Sequence, residues 1–167
     1  MGQRLTAGDV EKIEREIEHR KLVVRPEAIK AVQVAREQGD LSENFEYYAA
    51  KRDKNANESR IRYLERILKN ATVISSDSAA GVVGVNNTVT VYLPEDDEEE
   101  TYRIVTSIRG NTLENRISIE SPLGKALIGH KVGDEVTVHV NDTYSFTVVI
   151  RSITDTQSED DDEIRAF

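Results

Sequence analysis

The most constraining feature of this sequence is a six-residue interruption, Gly39 to Asn44, between two long helical patterns. Each pattern is roughly thirty residues long, which is enough for a long helix on either side. Glycine accepts the left-handed backbone conformation in which helices often end, so Gly39 is expected to end the first helix. Asp40 or Ser42 is then expected to cap the second helix. The interruption is therefore predicted to be the tip of a helical hairpin.

Two carboxylates lie in this predicted tip, three residues apart. Asp40 and Glu43 have the spacing of a capping box, and acidic residues are favoured at a helix N-terminus by the helix dipole. They also have the chemistry of a cation site, since Mg²⁺ binds one or two protein carboxylates and completes its shell with water and phosphate oxygens. The spacing alone does not decide between a structural and a chemical role.

The first helical pattern begins with a second capping signal and contains one proline. Thr6 is predicted to open the helix, with Asp9 as its capping-box partner. Proline is tolerated only in the first turn of a helix. We therefore expect a break near Arg25 and a new helix starting at Pro26.

The second helix is predicted to extend from about Ser42 to Lys69. A helix of that length spans roughly 42 Å and depends on packing against the first helix, because propensity alone stabilises it little. The side of this helix that is expected to face the first helix is apolar toward the base of the hairpin and polar at Lys54 and Asn57. This polar stretch is expected to loosen the hairpin toward its tip.

The hydrophobic period changes to two after a small, polar stretch that has the composition of a linker. Strands are predicted at residues 82–85, 88–93, 101–108, 116–119, 135–140 and 144–153, with an acidic turn at 95–100. A short helix is predicted at 123–128. The predicted organisation is a hairpin domain (1–75), a linker (76–81), a globular α+β domain (82–153) and an acidic, disordered tail (154–167).

Composition limits the functions that such a chain could have. It contains no cysteine, which excludes disulfides and thiolate metal sites, and its three histidines are isolated from one another. No apolar run approaches the roughly 18 residues of a membrane span, so we expect a soluble, cytoplasmic protein. Residues 1–75 hold 15 Lys and Arg against 13 Asp and Glu, and the remainder holds 7 against 18. Contact with nucleic acid is therefore expected to be local and confined to the N-terminal half.

Several segments resemble the bacterial Gre-type transcript cleavage factors, the GreA/GreB family. They are LTAGDVEKIEREIE, RPEAIKA, AREQGDLSENFEYYAAK, RIRYLERILKNATVI and SPLGKALIGHKVGDEV, in the family's order and at its spacing. The resemblance covers roughly residues 5–153 and looks more like the GreA branch than the GreB branch. It implies an N-terminal antiparallel two-helix coiled-coil hairpin and a C-terminal FKBP-like antiparallel β domain with one short helix.

The resemblance also implies a mechanism. Gre-type factors bind bacterial RNA polymerase through the globular domain and insert the coiled coil into the secondary channel. There, the tip helps the polymerase active site to hold a second Mg²⁺, and backtracked RNA is hydrolysed near its 3′ end. The chain is accordingly expected to be a monomer without nuclease activity, stably bound cofactor or membrane partner, which meets the nascent RNA 3′ end inside the polymerase.

Site residues follow from position in the family's motifs. Asp40 and Glu43 are the implied catalytic pair and the ligands of the transient Mg²⁺, which is shared with the polymerase. Ser42 and Asn44 are implied to shape the tip. These assignments put the acids in a chemical role, whereas a capping role remains the structural alternative.

Two further pairs have implied roles. Arg36 and Lys51 occupy the family's small basic spot and would hold the backbone of the extruded RNA, although an ordinary solvated helix face is the alternative. Ser121 and Pro122 match the loop that grips the polymerase, although a plain helix start with serine at the cap is not excluded.

Two other functions are alternatives to transcript cleavage. A Gre-fold inhibitor would occupy the polymerase channel without promoting cleavage, and the presence of both tip acids argues against it. An independent metal hydrolase would need more ligands and a concave pocket, and the sequence indicates neither.

Overall fold

The computed structural model describes residues 2–39, 44–77, 79–155, 159 and 161–166 of the chain. Backbone contacts divide it into two compact units. The helical unit contains residues 10–71 together with the residues before Arg4. The globular unit contains residues 4–9 and the chain from Thr72 onward. The division lies close to the predicted boundary at residue 75, but residues 4–9 group with the C-terminal part of the chain. Independent folding of the two parts stays a prediction.

Three long helices form the N-terminal part of the chain: α1 (Ala7–His19), α2 (Arg25–Glu37) and α3 (Phe45–Asn70). The predicted capping box at the start of α1 is confirmed. The Thr6 amide donates to Asp9 Oδ2 at 3.0 Å, and the Asp9 amide donates to Thr6 Oγ1 at 3.1 Å. In the described part of the chain, no helix is both long enough and apolar enough to span a membrane.

The helical backbone is continuous where a break was predicted. A π-helical turn, Arg20–Val24, joins α1 to α2, and Pro26 lies in the first turn of α2. A proline inside a regular α-helix removes one hydrogen bond and clashes with the carbonyl four residues before it. The wider π turn changes the bonding pattern at this point, so that the Arg25 amide donates to the Arg20 carbonyl. The chain thus accommodates the proline without ending the helix.

Helices α2 and α3 are antiparallel, and a polar layer joins α3 to the π turn. Arg25 donates to both carboxylate oxygens of Glu58 at 2.9 Å. The buried Asn57 donates to the Arg20 carbonyl at 3.2 Å and accepts from Arg20 Nη1 at 3.0 Å. Buried side chains of α3 begin at this layer: Asn57, Arg60, Ile61, Leu64 and Ile67. Burial is therefore concentrated toward the base of the hairpin.

Glu16 connects this layer to the base of the hairpin. It accepts hydrogen bonds from Arg20 Nε at 2.7 Å and from Arg60 Nε at 2.9 Å. Burial by itself would raise the pKa of Glu16. The hydrogen bonds and positive charges of Arg60 and Arg20 outweigh burial, and the pKa is lowered from its usual value. Folding therefore favours the ionised carboxylate at this position.

Glu16→Gln is expected to reduce the acid sensitivity of the hairpin. Since the folded pKa lies below the unfolded value of about 4.3, the contribution of Glu16 is complete above that pH and is lost as pH falls through the folded pKa. At pH 7 we expect the free energy of unfolding of the variant to be about 1 kcal/mol lower than that of the parent. On acidification, the free energy of unfolding should fall less in the variant than in the parent. Thermal melts followed by circular dichroism between pH 3 and 7 measure both effects, with the exposed Glu18→Gln as control. Parallel pH curves for parent and Glu16→Gln would contradict the assignment.

The globular unit contains a short parallel strand pair and a five-stranded sheet. The pair consists of β1 (Arg4–Leu5) and β2 (Thr72–Val73). The larger sheet consists of β3 (Thr88–Leu93), β4 (Glu98–Val105), β5 (Arg116–Ser118), β6 (Glu135–His139) and β7 (Ser145–Thr154). Its order is β5-β4-β3-β7-β6, and helix α4 (Pro122–Leu127) packs against β6. The fold is thus α+β, as predicted.

The sheet is mixed, so the prediction of an antiparallel domain is wrong in one respect. Strand β5 pairs with β4 in parallel, with Arg103 opposite Arg116. The connection between the two strands contains two short 3₁₀ turns, Ser107–Arg109 and Thr112–Glu114. This connection carries the chain back before β5 begins, whereas an antiparallel neighbour would need only a tight turn. The other neighbouring strands of this sheet are antiparallel.

Several strand ends differ from the predictions by one residue, and two predictions differ by more. Residues 82–85 form no regular strand and contribute a single bridge between Val82 and Lys131. Strand β4 begins at Glu98, so half of the predicted acidic turn belongs to the sheet. The core of the unit consists of ten buried apolar residues: Val83, Val89, Val91, Ile104, Ile119, Leu127, Val136, Val138, Val148 and Ile150.

A fully buried arginine lies beside this core. Arg109 Nε donates to Asp9 Oδ1 at 2.5 Å, and its Nη1 donates to Asn86 Oδ1 and to Asp162 Oδ2, both at 2.8 Å. Its Nη2 lies 3.5 Å from Glu159 Oε1. We refer to these five residues as the Arg109 site. A buried guanidinium is costly unless charged and polar groups surround it, and here they do so on several sides.

Described residues of the acidic tail, residues 154–167, contact the rest of the globular unit, while disorder of the tail stays a prediction. Asp162 is buried, and its carboxylate contacts Arg109 and also accepts from Arg103 Nη1 at 2.6 and 2.7 Å. The Arg165 amide donates to the Ile108 carbonyl at 2.8 Å. An acidic composition predicts solvation, but it does not reveal that a buried cation elsewhere in the chain needs these carboxylates.

Candidate functional site at the end of the helical hairpin

Three of the predicted tip residues, Asp40, Ser42 and Glu43, lie outside the described residues. The fourth, Asn44, caps α3: its Oδ1 accepts from the Tyr47 amide at 3.0 Å. The prediction that Asp40 or Ser42 caps this helix is therefore wrong, because α3 begins at Phe45 rather than near residue 42. Asparagine and aspartate are about equally good caps, so the choice among the polar residues of the tip could not be made from residue type alone.

Asn44 also joins the two helices of the hairpin. Its Nδ2 donates to the Ala35 carbonyl, in the last turns of α2, at 2.6 Å. The same side chain thus bonds the Ala35 carbonyl, which also accepts from the Gln38 amide, and one free amide at the start of α3. On the α2 side the helix ends at Glu37, and Gly39 has a positive φ of 145°. Among the described residues, the Asn44 amide thus connects the two helices at the base of the turn.

Asn44→Ala is expected to destabilise the end of the hairpin. The variant loses a helix cap and a bond between the helices, together about 1–2 kcal/mol. We expect faster hydrogen exchange of the first amides of α3 and of the last amides of α2, with little change at the base. Asn55→Ala, an exposed position of α3, is the matched control. Exchange rates equal to those of the control would show that Asn44 does not hold the turn.

Basic and aromatic side chains gather next to this turn. The Arg36 guanidinium lies over the Tyr47 ring, 5.6 Å from its centroid. Arg36, followed by the nearby charges of Lys51 and Lys54, lowers the pKa of Tyr47, although burial acts in the opposite direction. Arg36 and Lys51 are exposed. The structure therefore brings the predicted basic pair to one positively charged spot around Tyr47, beside the end of the hairpin.

Ser121 and Pro122 form the start of α4 in the globular unit. Ser121 Oγ accepts from the Gly124 amide at 3.1 Å and donates to the Ser118 carbonyl at 2.6 Å. Pro122 occupies the first position of the helix and is exposed. The geometry of Ser121 is that of a helix cap, which was the structural alternative. A role of this loop in binding polymerase stays a prediction.

No group of three or more histidine, aspartate or glutamate side chains in the described ranges could hold a metal ion. The predicted Mg²⁺ ligands Asp40 and Glu43 are outside those ranges. The Arg109 site was not predicted at all. Its five residues come from four separate segments of the chain, and an arginine next to one isoleucine gives no signal of burial. Only the capping acid Asp9, singled out for another reason, belongs to it.

The chain is an α+β protein of two parts, a helical hairpin with a basic end and a unit built on a mixed sheet. Both parts match family models. The model described as "Transcription elongation factor, N-terminal" matches residues 3–73. The model described as "Transcription elongation factor, GreA/GreB, C-term" matches residues 77–155. The chain belongs to the GreA/GreB family of transcription elongation factors.

Curated relatives agree with this assignment. The transcription elongation factor GreA of Bacillus subtilis strain 168 is 42% identical over 134 residues, which cover 80% of this chain and 85% of the relative. GreA of Geobacillus kaustophilus strain HTA426 is 45% identical over 135 residues, with coverage of 80% and 85%. Among solved structures, the transcription factor Gfh1 is 29% identical, covers 92% of this chain and 97% of that chain, and has a TM-score of 0.46.

Proposed function

We propose that this transcription elongation factor binds bacterial RNA polymerase and stimulates the polymerase to hydrolyse the 3′ end of backtracked RNA. The observation that carries the proposal is the presence of both acids, Asp40 and Glu43, in the GDLSEN segment of a GreA/GreB family member. We further propose that the hairpin is a coiled coil that enters the secondary channel, and that the globular unit is FKBP-like. The factor would act as a monomer in the cytoplasm, where bacterial transcription takes place.

The two acids supply negative oxygen ligands and little else. Two carboxylates are too few to hold Mg²⁺ tightly on their own, so the remaining ligands would come from polymerase, water and RNA phosphate. Asp40 and Glu43 would hold such an ion together with these groups, and the ion would supply charge stabilisation for phosphoryl transfer. Asp40 and Glu43 complete that environment, and Ser42 and Asn44 shape the turn that presents them. The isolated chain should therefore have no nuclease activity.

The basic spot supports a second part of the proposal, contact with the extruded RNA. Arg36 and Lys51 both act on Tyr47, which lies three residues after the capping Asn44. Exposed cations on one side of a helix end attract the phosphate backbone without reading sequence. Such a contact would hold the RNA 3′ segment beside the acids.

Arg36→Ala and Lys51→Ala are each expected to lower stimulated cleavage about tenfold, because each removes roughly one phosphate contact, worth about 1.4 kcal/mol. Binding to free polymerase should change little. The measurements are single-turnover cleavage of a backtracked complex and competition binding to core polymerase. Lys69→Ala, exposed at the other end of α3, is the matched control. Equal losses in cleavage and in polymerase binding would argue against an RNA contact.

The globular unit is proposed to provide most of the affinity for polymerase, through the loop that contains Ser121 and Pro122. Because the Ser121 hydroxyl is used within the loop, the contact would be made by loop shape and by the exposed Pro122. Helix α4 begins there, so a change at Ser121 alters the loop as well as any contact.

The direct test is a stalled, backtracked polymerase complex carrying 3′-labelled RNA, with and without this protein. We expect the protein to release short 3′ fragments and to restore elongation, and to cleave nothing when polymerase is omitted. Inhibition of elongation without fragment release would instead identify the Gre-fold inhibitor. Cleavage in the absence of polymerase would identify an independent hydrolase.

A further inference from the structure

The Arg109 site has a composition that the family match does not account for. The C-terminal family model ends at residue 155, whereas Glu159 and Asp162 come from the segment beyond it. Arg109 is fully buried, and its contacts with these two acids are 3.5 and 2.8 Å long. A segment outside the family match therefore supplies part of the charge that neutralises a buried cation.

Asp162 occupies the most basic part of this region. Besides Arg109, its carboxylate accepts two hydrogen bonds from Arg103 Nη1, and its Oδ1 lies 3.9 Å from Arg116 Nη1. Asp162 is only 6% exposed. Three guanidinium groups thus converge on one carboxylate, which is a geometry that selects an anion rather than a neutral side chain.

Glu159 contacts the N-terminal segment of the globular unit. Its Oε2 accepts from Thr6 Oγ1 at 3.0 Å, and its Oε1 accepts from Asn86 Nδ2 at 2.5 Å. Its carboxylate also lies against Gly8, where an added Cβ atom would be 1.9 Å from Glu159 Oε2. An alanine at residue 8 would therefore require the Glu159 carboxylate to move from this position.

We propose that the Arg109 site is a binding site for an acidic peptide segment, and that the chain's own C-terminal tail occupies it. Glu159 binds between Thr6 and Asn86, Asp162 binds among the three arginines, and the two acids are three residues apart in sequence. In this arrangement the tail holds residues 6–9 against the rest of the globular unit. It is a structural ligand supplied in cis, not a solvated appendage.

The Gly8→Ala variant tests the proposal, because the direction in which it changes Tm depends on whether Glu159 is docked beside residue 8. In a helix, alanine is more favourable than glycine, so Gly8→Ala should stabilise the chain if nothing occupies the space beside it. If Glu159 is docked there, the new methyl group displaces its carboxylate and breaks the bonds to Thr6 and Asn86. We expect Gly8→Ala to lower Tm in the parental chain and to raise it, by a few degrees, in a Glu159→Ala background.

The matched control is Glu163→Ala, an exposed tail position, in which Gly8→Ala should lower Tm as it does in the parent. A rise in Tm of equal size in all three backgrounds would overturn the proposal, because it would show that the space beside Gly8 is empty.

A second measurement uses the unmodified full-length protein. The Arg165 amide donates to the Ile108 carbonyl, so a docked tail should protect it from hydrogen exchange at least about tenfold over an unstructured peptide. Asp162→Asn, which keeps the side-chain shape and removes its charge, should abolish that protection, whereas Asp161→Asn at an exposed position should not. Exchange at the unstructured rate in the parental protein would overturn the proposal.

Discussion

Asp40→Asn and Glu43→Gln are each expected to reduce stimulated RNA cleavage by about 100-fold or more while leaving polymerase binding and Tm nearly unchanged. Asparagine and glutamine keep one side-chain oxygen and the shape that a capping role needs. A capping role would therefore predict losses well below about 1 kcal/mol and normal cleavage. Loss of a negative ligand instead weakens binding of the ion that the reaction needs. An increase of about 2.7 kcal/mol in the activation free energy is enough for a 100-fold reduction in rate.

The dependence on Mg²⁺ separates the two roles further. Raising its concentration should partly restore cleavage in both variants, since the variants lose ion affinity rather than shape. Asp53→Asn, which removes an exposed carboxylate from α3, serves as control and should cleave at the parental rate. If Asp40→Asn and Glu43→Gln also cleave at that rate, the acids are structural, and the channel-occupying inhibitor becomes the better proposal.

Arg109→Met is expected to destabilise the globular unit by about 3–5 kcal/mol, the usual effect of removing one partner from a buried ion pair. Methionine fills much of the space but leaves Asp9 and Asp162 buried without their shared cation. Urea unfolding of the full-length protein, followed by circular dichroism, measures the free energy of unfolding.

Arg151→Met is the matched control for this change. Arg151 lies 4.5 Å from the centroid of the Tyr92 ring on an exposed part of β7, so its removal should cost less than about 1 kcal/mol. A loss of the same small size for Arg109→Met would mean that the carboxylates around it are solvated rather than buried.

Features with local signals were predictable from the sequence. The Thr6–Asp9 capping box depends on two residues three positions apart, and the structure has both of its hydrogen bonds. Strand β3 was predicted with its observed bounds because alternation between buried and partly buried positions is a property of the strand itself. The basic pair Arg36 and Lys51 was assigned from the family resemblance, and its role in holding RNA stays a prediction.

Features that depend on distant partners were not predictable in this way. The direction of β5 is set by its pairing with β4, and no residue of β5 encodes it. The cap of α3 was misassigned because several polar residues compete for the position, and Asn44 has a second partner in Ala35. The burial of Arg109 requires acids from both ends of the chain, which only the folded structure brings together.

The π turn at Arg20–Val24 has a rotational consequence for the whole outer half of the hairpin. Each residue of a regular α-helix advances by about 100° around the axis, so one residue more or fewer before Arg25 changes the direction in which all of α2 faces. Deleting one residue from the turn would swing Arg36 by about a quarter of a revolution, away from Tyr47 and Lys51 on α3. The direction in which the basic spot faces is thus set by the length of a single irregular turn, Arg20–Val24, which lies more than ten residues before Arg36.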